Sequence, residues 1–401
     1  MGGVLARLPP QDPRRTLVTR PRVGLVVNPV AGLGGRVGLG GTDGPERPRR
    51  ALELGAVPRA SARAEEALAE IRARGCAPVI VTAPGAMGEE AARGAGLDVE
   101  TVPAPRSGVP GPLGTTAEDT VAAVRAVVAA GVGLLLFAGG DGTARDVARA
   151  LDGAPCVVLG VPTGVKMHSA VFAVGPRAAG EVAAARLGGA APGVRDAEVM
   201  DRDEEALRAG RTASRLYGWL TVPDVPARVQ QRKTGSASAA YDTSGGIAAE
   251  LVGRAGDGLL VLGPGTTTRA VAAALGADAS LAGVDVLDLR GGQAVVVAKD
   301  ASEAEILARL DPARPCHVVV SPIGGQGFLL GRGNQQISPR VLRAAGGRGG
   351  LLVVCTEGKL AALQGRPLLV DTGDRALDAE LTGHVRVVTG HRRISLYRTE
   401  A

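Results

Sequence analysis

The chain has 401 residues, enough for two or three domains and a substantial buried core. Apolar residues make up 45% and charged residues 21%, the balance of a globular protein. A net charge of +6 admits acidic ligands, but with aromatics at 2% and scattered arginines it does not argue for nucleic acid, and none is expected as a partner. Only Lys166, Lys233, Lys299 and Lys359 are lysines. Cys76, Cys156, Cys316 and Cys355 lack CxxC or Cys/His metal spacing and read as buried thiols of a reducing compartment. The first 20 residues lack the apolar segment of roughly 7–15 residues that a secretory signal needs. No run reaches the ~18 apolar residues of a membrane span. The expectation is a cytoplasmic protein with no membrane contact and a flexible tail over 1–21.

In chain order, "RVGLVVN" (22–28) reads as a buried strand, followed by a glycine-rich stretch and a helix over 61–75. Strands at 77–84 and 97–105 flank a short helix at 87–96. A helix over 116–131 opens on Thr116, with acids in its first turn. The strand "VGLLLFAGG" leads to the helix "TARDVARAL", and a strand at 155–162 precedes a helix near 176–188. This βαβ alternation predicts a parallel sheet covered by helices. Residues 195–223 read as strand, acidic turn, strand, and 226–246 as a polar Gly/Ser-rich linker or loop. From 247 the alternation returns as a second α/β lobe: "DGLLVLGPG", "LAGVDVLDL", "QAVVVAKD" and "PCHVVVSPIGGQG" as strands, with helices between. Ser338 and Pro339 fit N-cap and N1 of a further helix, and "HVRVVTGHRRISLYR" reads as a closing hairpin. The domains expected are a nucleotide-binding lobe over 22–190, a connector over 191–246 and a second α/β lobe over 247–401, with a cleft between the lobes.

Five stretches place glycines after a strand: Asn28–Gly44, Gly139–Thr143, Pro162–Ser169, Gly263–Thr268 and Gly324–Gln335. Glycine allows close backbone approach, and a following helix N-terminus offers free N–H groups, so each stretch fits either a tight βα turn or a phosphate cradle. Five together point to a phosphorylated ligand. In "GGDGTARD" an aspartate stands where phosphate would be repelled, a position suited to accepting a hydroxyl proton or holding a metal. The alternative is that Asp141 caps the helix; Thr143 would serve equally well and leave Asp141 free. Arg145 in the first helical turn is unfavourable unless it meets an anion, whereas Asp146 suits the helix dipole.

The combination "VVNPVAG", "GGDGT" and "VLGVPTG" resembles the ATP-NAD kinase superfamily, which includes diacylglycerol-type lipid kinases. "GVPTGVKMHSAVFA", "IGGQGFLLGRGNQQISP" and "GRPLLVDTGD" resemble its bacterial ATP-NAD kinase-like branch with the AcoX-type proteins, from about residue 22 to 400. The resemblance implies ATP, or another phosphoryl donor, with Mg²⁺, and NAD as the phosphoryl acceptor. Gly139, Gly140, Asp141, Gly142 and Thr143 match the nucleotide-binding motif, with Asp141 as general base toward the adenosine-ribose 2′-hydroxyl. Asn28 and Pro29 match the first nucleotide-contacting loop. Lipid kinases continue the third glycine loop with Asn-Asp, where this chain has Val165-Lys166-Met167-His168-Ser169. NAD kinases carry an Asn-Glu pair on a β-rich second domain, with no clear counterpart here. A lipid or other small-alcohol acceptor, or a nucleotide-binding regulator without turnover, are the alternatives.

Further ligand candidates are Thr163, Gly164, Lys166 and His168 in the third loop, and Gly265, Thr266 and Thr267 in the fourth. In the fifth they are Gly325, Gln326, Arg332, Asn334 and Gln335, suited to a phosphate, ribose or base edge. Lys166 reads equally as a surface residue, His168 as a cap or core residue, and Ser169 as an N-cap. Asp371 and Asp374 fit a metal or plain turn chemistry. A homo-oligomer is expected.

Overall fold

The computed structural model describes residues 20–39, 46–104, 108, 114–164, 167–188, 191–202, 214–225, 228–229, 241–323 and 326–401. The expected tail over 1–21 and the acidic turn after 202 fall almost wholly outside these residues.

The first lobe is built on β1 (Arg22–Val27), β2 (Val79–Thr82), β3 (Asp98–Thr101), β4 (Leu134–Gly139) and β5 (Val158–Pro162). They form a parallel five-stranded sheet in the order β3-β2-β1-β4-β5. Every residue of β4 is buried, so its apolar run shows no alternation; both faces are covered. The helices pack in pairs, Ala60–Ala73 with Pro176–Leu187 and Ala117–Ala129 with Asp141–Leu151. Thr116 and Asp119 form a reciprocal capping box at the start of Ala117–Ala129. The chain winds from β1 outward to β3, then returns to β4 and β5 on the other side. The connections therefore diverge between β1 and β4, where doubly wound sheets bind ligands.

A bulged antiparallel hairpin, β6 (Val194–Arg202) and β7 (Ser214–Pro223), packs on the helix Asp141–Leu151 and on β5. The segment expected as a linker up to 246 is helical from its last six residues onward, because the helix Tyr241–Ala255 starts there. Its early Ser and Gly positions hid the start from propensity.

The second lobe contains β8 (Leu259–Leu262), β9 (Asp285–Arg290), β10 (Gln293–Ala298), β11 (Cys316–Val320), β12 (Phe328–Leu330), β13 (Leu351–Val354), β14 (Leu368–Val370), β15 (Gly383–Gly390) and β16 (Arg393–Glu400). They form one mixed nine-stranded sheet, β10-β9-β8-β11-β13-β15-β16-β14-β12. Alternate residues feed two apolar cores. Val261, Val318 and Val353 join one, and Leu262, Val319 and Val354 the other. The sequence left unassigned β12, β14 and the helices Glu46–Glu53 and Arg375–Leu381, all eight residues or shorter. Ser338 caps its helix with Pro339 at the first position, and the closing hairpin is β15–β16. The connections diverge again, this time between β8 and β11. From β8 the chain goes to β9 and β10; from β11 it goes to the opposite side.

The lobes meet through loops at the carboxyl ends of their strands. Glu303 N donates to Arg36 O at 3.1 Å, Gln335 Nε2 to Gly164 O at 3.3 Å and Gln326 Nε2 to Met167 O at 3.4 Å. Deeper in the junction, Arg63 Nη1 and Nη2 hold Asp371 at 3.0 and 2.5 Å, and Arg63 Nε donates to Pro162 O. All four cysteines are free thiols; Cys355 is buried, and the other three are partly so. Burial pushes the Cys316 thiol up to about 11 and that of Cys355 to about 12. Among the described residues no helix is long and apolar enough to cross a membrane.

Candidate functional site

Three of the five glycine stretches come together at the β1/β4 divergence. Asn28, one residue past β1, donates its Nδ2 to Thr143 Oγ1 at 3.0 Å and accepts Val30 N on Oδ1. Pro29 opens the turn that follows. Thr163 N and Gly164 N both donate to Gly139 O, at 2.9 and 3.2 Å. A Cβ on Gly139 would overlap the Thr143 side chain, and one on Gly164 would come within 2.8 Å of the Gly140 Cα. Gly32 sits at φ +80°, where a Cβ would run into the Thr163 carbonyl. These glycines are required first by loop-on-loop packing, which brings three backbone turns into one rigid floor.

Asp141 neither caps its helix nor stands free. Gly140 occupies the N-cap in extended conformation without a side-chain cap, Asp141 is the first helical residue and Gly142 the second. The Asp141 carboxylate turns to the third loop, accepting His168 N on Oδ2 at 2.7 Å and Ser169 N on Oδ1 at 3.0 Å. The His168 ring approaches Oδ2 at 3.2 Å through Nδ1, a contact that is a hydrogen bond in the tautomer with the proton on Nδ1. Asp141 is 6% exposed. Of the roughly four acceptor positions on a carboxylate, contacts among the described residues take three, two on Oδ2 and one on Oδ1. Ser169 is not an N-cap: its buried hydroxyl donates to Met200 O and accepts Met200 N, tying the loop to β6. Arg145 meets its anion within the fold, pairing with Asp201 at 3.0 Å and lying over the Tyr217 ring. Burial of the neighbouring Asp146 lifts its carboxyl to about 6 despite Arg145 and Arg149 nearby. Lys166 lies outside the described residues, as does Gly325.

From the second lobe, Arg332 is 3% exposed, lies 4.6 Å above the Phe328 ring, donates to Val174 O at 3.1 Å and stands 3.6 Å from Asp371. Burial pushes its guanidinium down to about 10, with the Asp371 and Asp141 carboxylates opposing the shift. Asn334 has both arms engaged in its own turn, donating to Leu329 O and accepting Gly331 N, and therefore shapes the loop. Gln326 and Gln335 bridge to the first lobe. Asp371 holds Arg63, and Asp374 caps the helix Arg375–Leu381 while pairing with Arg343, so neither is offered to a metal. Among the described residues no group of three or more His, Cys, Asp or Glu side chains could hold a metal. Thr163 Oγ1 and Arg332 Nε are buried without a hydrogen-bond partner among the described residues.

The fourth loop lies across the junction. Ile337, two residues beyond Gln335, packs where a Cβ on Gly263 would sit, at 3.5 Å. Gly265 is the N-cap of Thr266–Ala274, again without a side-chain cap; Thr266 is exposed and Thr267 buried. Lys359 Nζ donates to Thr267 Oγ1 at 3.1 Å and to Ser321 Oγ at 3.3 Å. Neither Lys359 nor Ser321 was singled out from sequence, because they lie 92 and 54 positions from Thr267 in the chain. The scarcity of lysine was the one available signal.

The ATP-NAD kinase N-terminal domain matches residues 23–190, and the ATP-NAD kinase C-terminal domain matches residues 257–399. No curated protein and no solved structure matches the chain. With both domains present in order over most of its length, and the GGDGT turn seated at the first sheet's divergence point, the chain belongs to the ATP-NAD kinase-like family, a family of ATP-dependent kinases.

Proposed function

We propose that the protein transfers the γ-phosphoryl group of ATP to the 2′-hydroxyl of the adenosine ribose of NAD, giving NADP and ADP. The lobes over 22–190 and 247–401 would enclose the two ligands, and the four free thiols suit a reducing compartment such as the cytoplasm. The likeness to the AcoX-type branch rests on the sequence runs alone.

The observation that carries the reading is Asp141. Its carboxylate is immobilised by two backbone N–H groups and His168, and among the described residues Oδ1 takes only one hydrogen bond. That suits a base removing one proton: the ribose O–H proton passes to Asp141, the oxygen bonds to the γ-phosphorus, and the bond to the β-phosphate oxygen breaks. The rigid floor supplies positioning, the larger part of catalysis in such transfers. Thr163 Oγ1 and Arg332 Nε, buried and without a partner among the described residues, fit a polar ligand at this junction. Mg²⁺, when bound with ATP, would be held chiefly by the phosphate oxygens and would offset their charge.

Purified protein incubated with ATP, Mg²⁺ and NAD should form NADP, and Asp141→Asn should lose turnover by about 10²–10⁴-fold while still binding nucleotide. Absence of NADP from the wild-type reaction, with ATP consumed on other alcohols, would move the acceptor elsewhere in the superfamily.

A further inference from the structure

The second lobe has its own divergence point, and its polar cluster has no part in the chemistry assigned to Asp141. Thr267 follows β8 and Ser321 follows β11, the two strands between which the connections part. Lys359, in the short helix Glu357–Ala361 that follows β13, reaches to both. In the first lobe the same topological position is bridged by Asn28 and Thr143. The two sheets thus present equivalent crevices, and residues 335–337 touch both, through Gly164 on one side and Gly263 on the other.

The hydrogen-bond directions define the ligand. Lysine is only a donor, so Thr267 and Ser321 act as acceptors toward it, and neither O–H has an acceptor among the described residues. Thr267 is 2% and Ser321 8% exposed, so both hydroxyls are held in place by packing. The helix Thr266–Ala274, nine residues long, begins beside them with no side chain capping its N-terminus. An ammonium, two hydroxyls and a helix N-terminus that no side chain caps among the described residues gather donors around a cation, which matches the oxygens of a phosphate chain.

We infer that Lys359, with Thr267 and Ser321, binds the phosphate chain of a nucleotide on the second-lobe side of the junction. The inference deepens the proposed kinase reading and rests on it for the identity of the nucleotide: the triphosphate of ATP or the pyrophosphate of NAD. Lys359 is a binding residue here, not the base.

Calorimetric titration with ATP and with NAD separately, on wild type, Lys359→Met and Lys359→Arg, tests it. Lys359→Met should weaken one of the two ligands at least tenfold, and that ligand identifies the bound phosphate chain. Lys359→Arg should recover part of the loss, and KM for the affected ligand should rise more than kcat falls. Thermal unfolding checks that each variant is folded; Ser321→Ala and Thr267→Val replace Lys359→Met if it is not. Binding of both ligands within twofold of wild type in Lys359→Met overturns the inference, even if the wild type makes NADP. Conversely, loss of ATP binding in Lys359→Met by a protein that makes no NADP sustains the site and removes NAD as acceptor.

Discussion

Asp371→Asn tests how the lobes are joined. Asp371 lies between two guanidinium groups, bidentate to Arg63 and 3.6 Å from Arg332. The three side chains are 11%, 12% and 3% exposed, so the charges are largely desolvated. Removing one partner of such a group leaves uncompensated buried charge and costs about 3–5 kcal/mol. For a lobe of ordinary size this lowers the melting temperature by roughly 6–20 °C. Burial alone would raise the Asp371 carboxyl, but Arg63 and Arg332 outweigh it and hold it below the ordinary range. A carboxylate depressed in the folded state contributes stability that is present above its unfolded value and is lost as pH falls through the folded one. The gap between wild type and variant should therefore be full at pH 7 and shrink in acid below about pH 4. Circular dichroism melts at both pH values measure it. A variant melting within about 2 °C of wild type at pH 7, less than about 1 kcal/mol, would refute the assignment of Asp371 to joining the lobes.

Three further changes probe other levels of the structure. Asp146, lifted to about 6 by burial, pays for its charge at neutral pH, so Asp146→Asn should stabilise by up to about 3 kcal/mol at pH 7. The gain should fade between pH 6 and 4, as the wild-type carboxyl takes up its proton in the folded state before the unfolded one does; urea midpoints across that range decide it. Gly32→Ala forces a side chain into the left-handed region and against the Thr163 carbonyl, with an expected cost of about 2–4 kcal/mol by urea denaturation. Stability equal to wild type would mean that the first loop moves freely from the third. Ser338→Ala removes a cap to Val341 N and the 2.6 Å bond to Glu303, and should cost about 1–2 kcal/mol; an unchanged melting temperature would contradict the cap.

Much of the architecture was legible before folding because it is written in local signals. Uninterrupted apolar runs such as "LLLF" mark strands covered on both faces, and Thr116, Ser338 and Pro339 mark helix starts through bonds within a few residues. The short strands β12 and β14 carry only three residues each, too few for a periodic signal. The helix from Tyr241 was hidden by Gly and Ser in its first turns, whose poor propensity tertiary packing overrides.

The family and the GGDGT turn were also present in the residues themselves, since a close-packed glycine loop tolerates few alternatives. What only the tertiary structure decided is where each polar side chain spends its hydrogen bonds. Asp141 was expected to be free and is held by His168 and Ser169; Arg145 was expected to await a ligand and is matched by Asp201. Lys359 acquires meaning only when β8, β11 and β13 lie side by side. Secondary structure depends on neighbours a few residues apart, whereas a site is assembled from strand ends that the sheet order alone brings together.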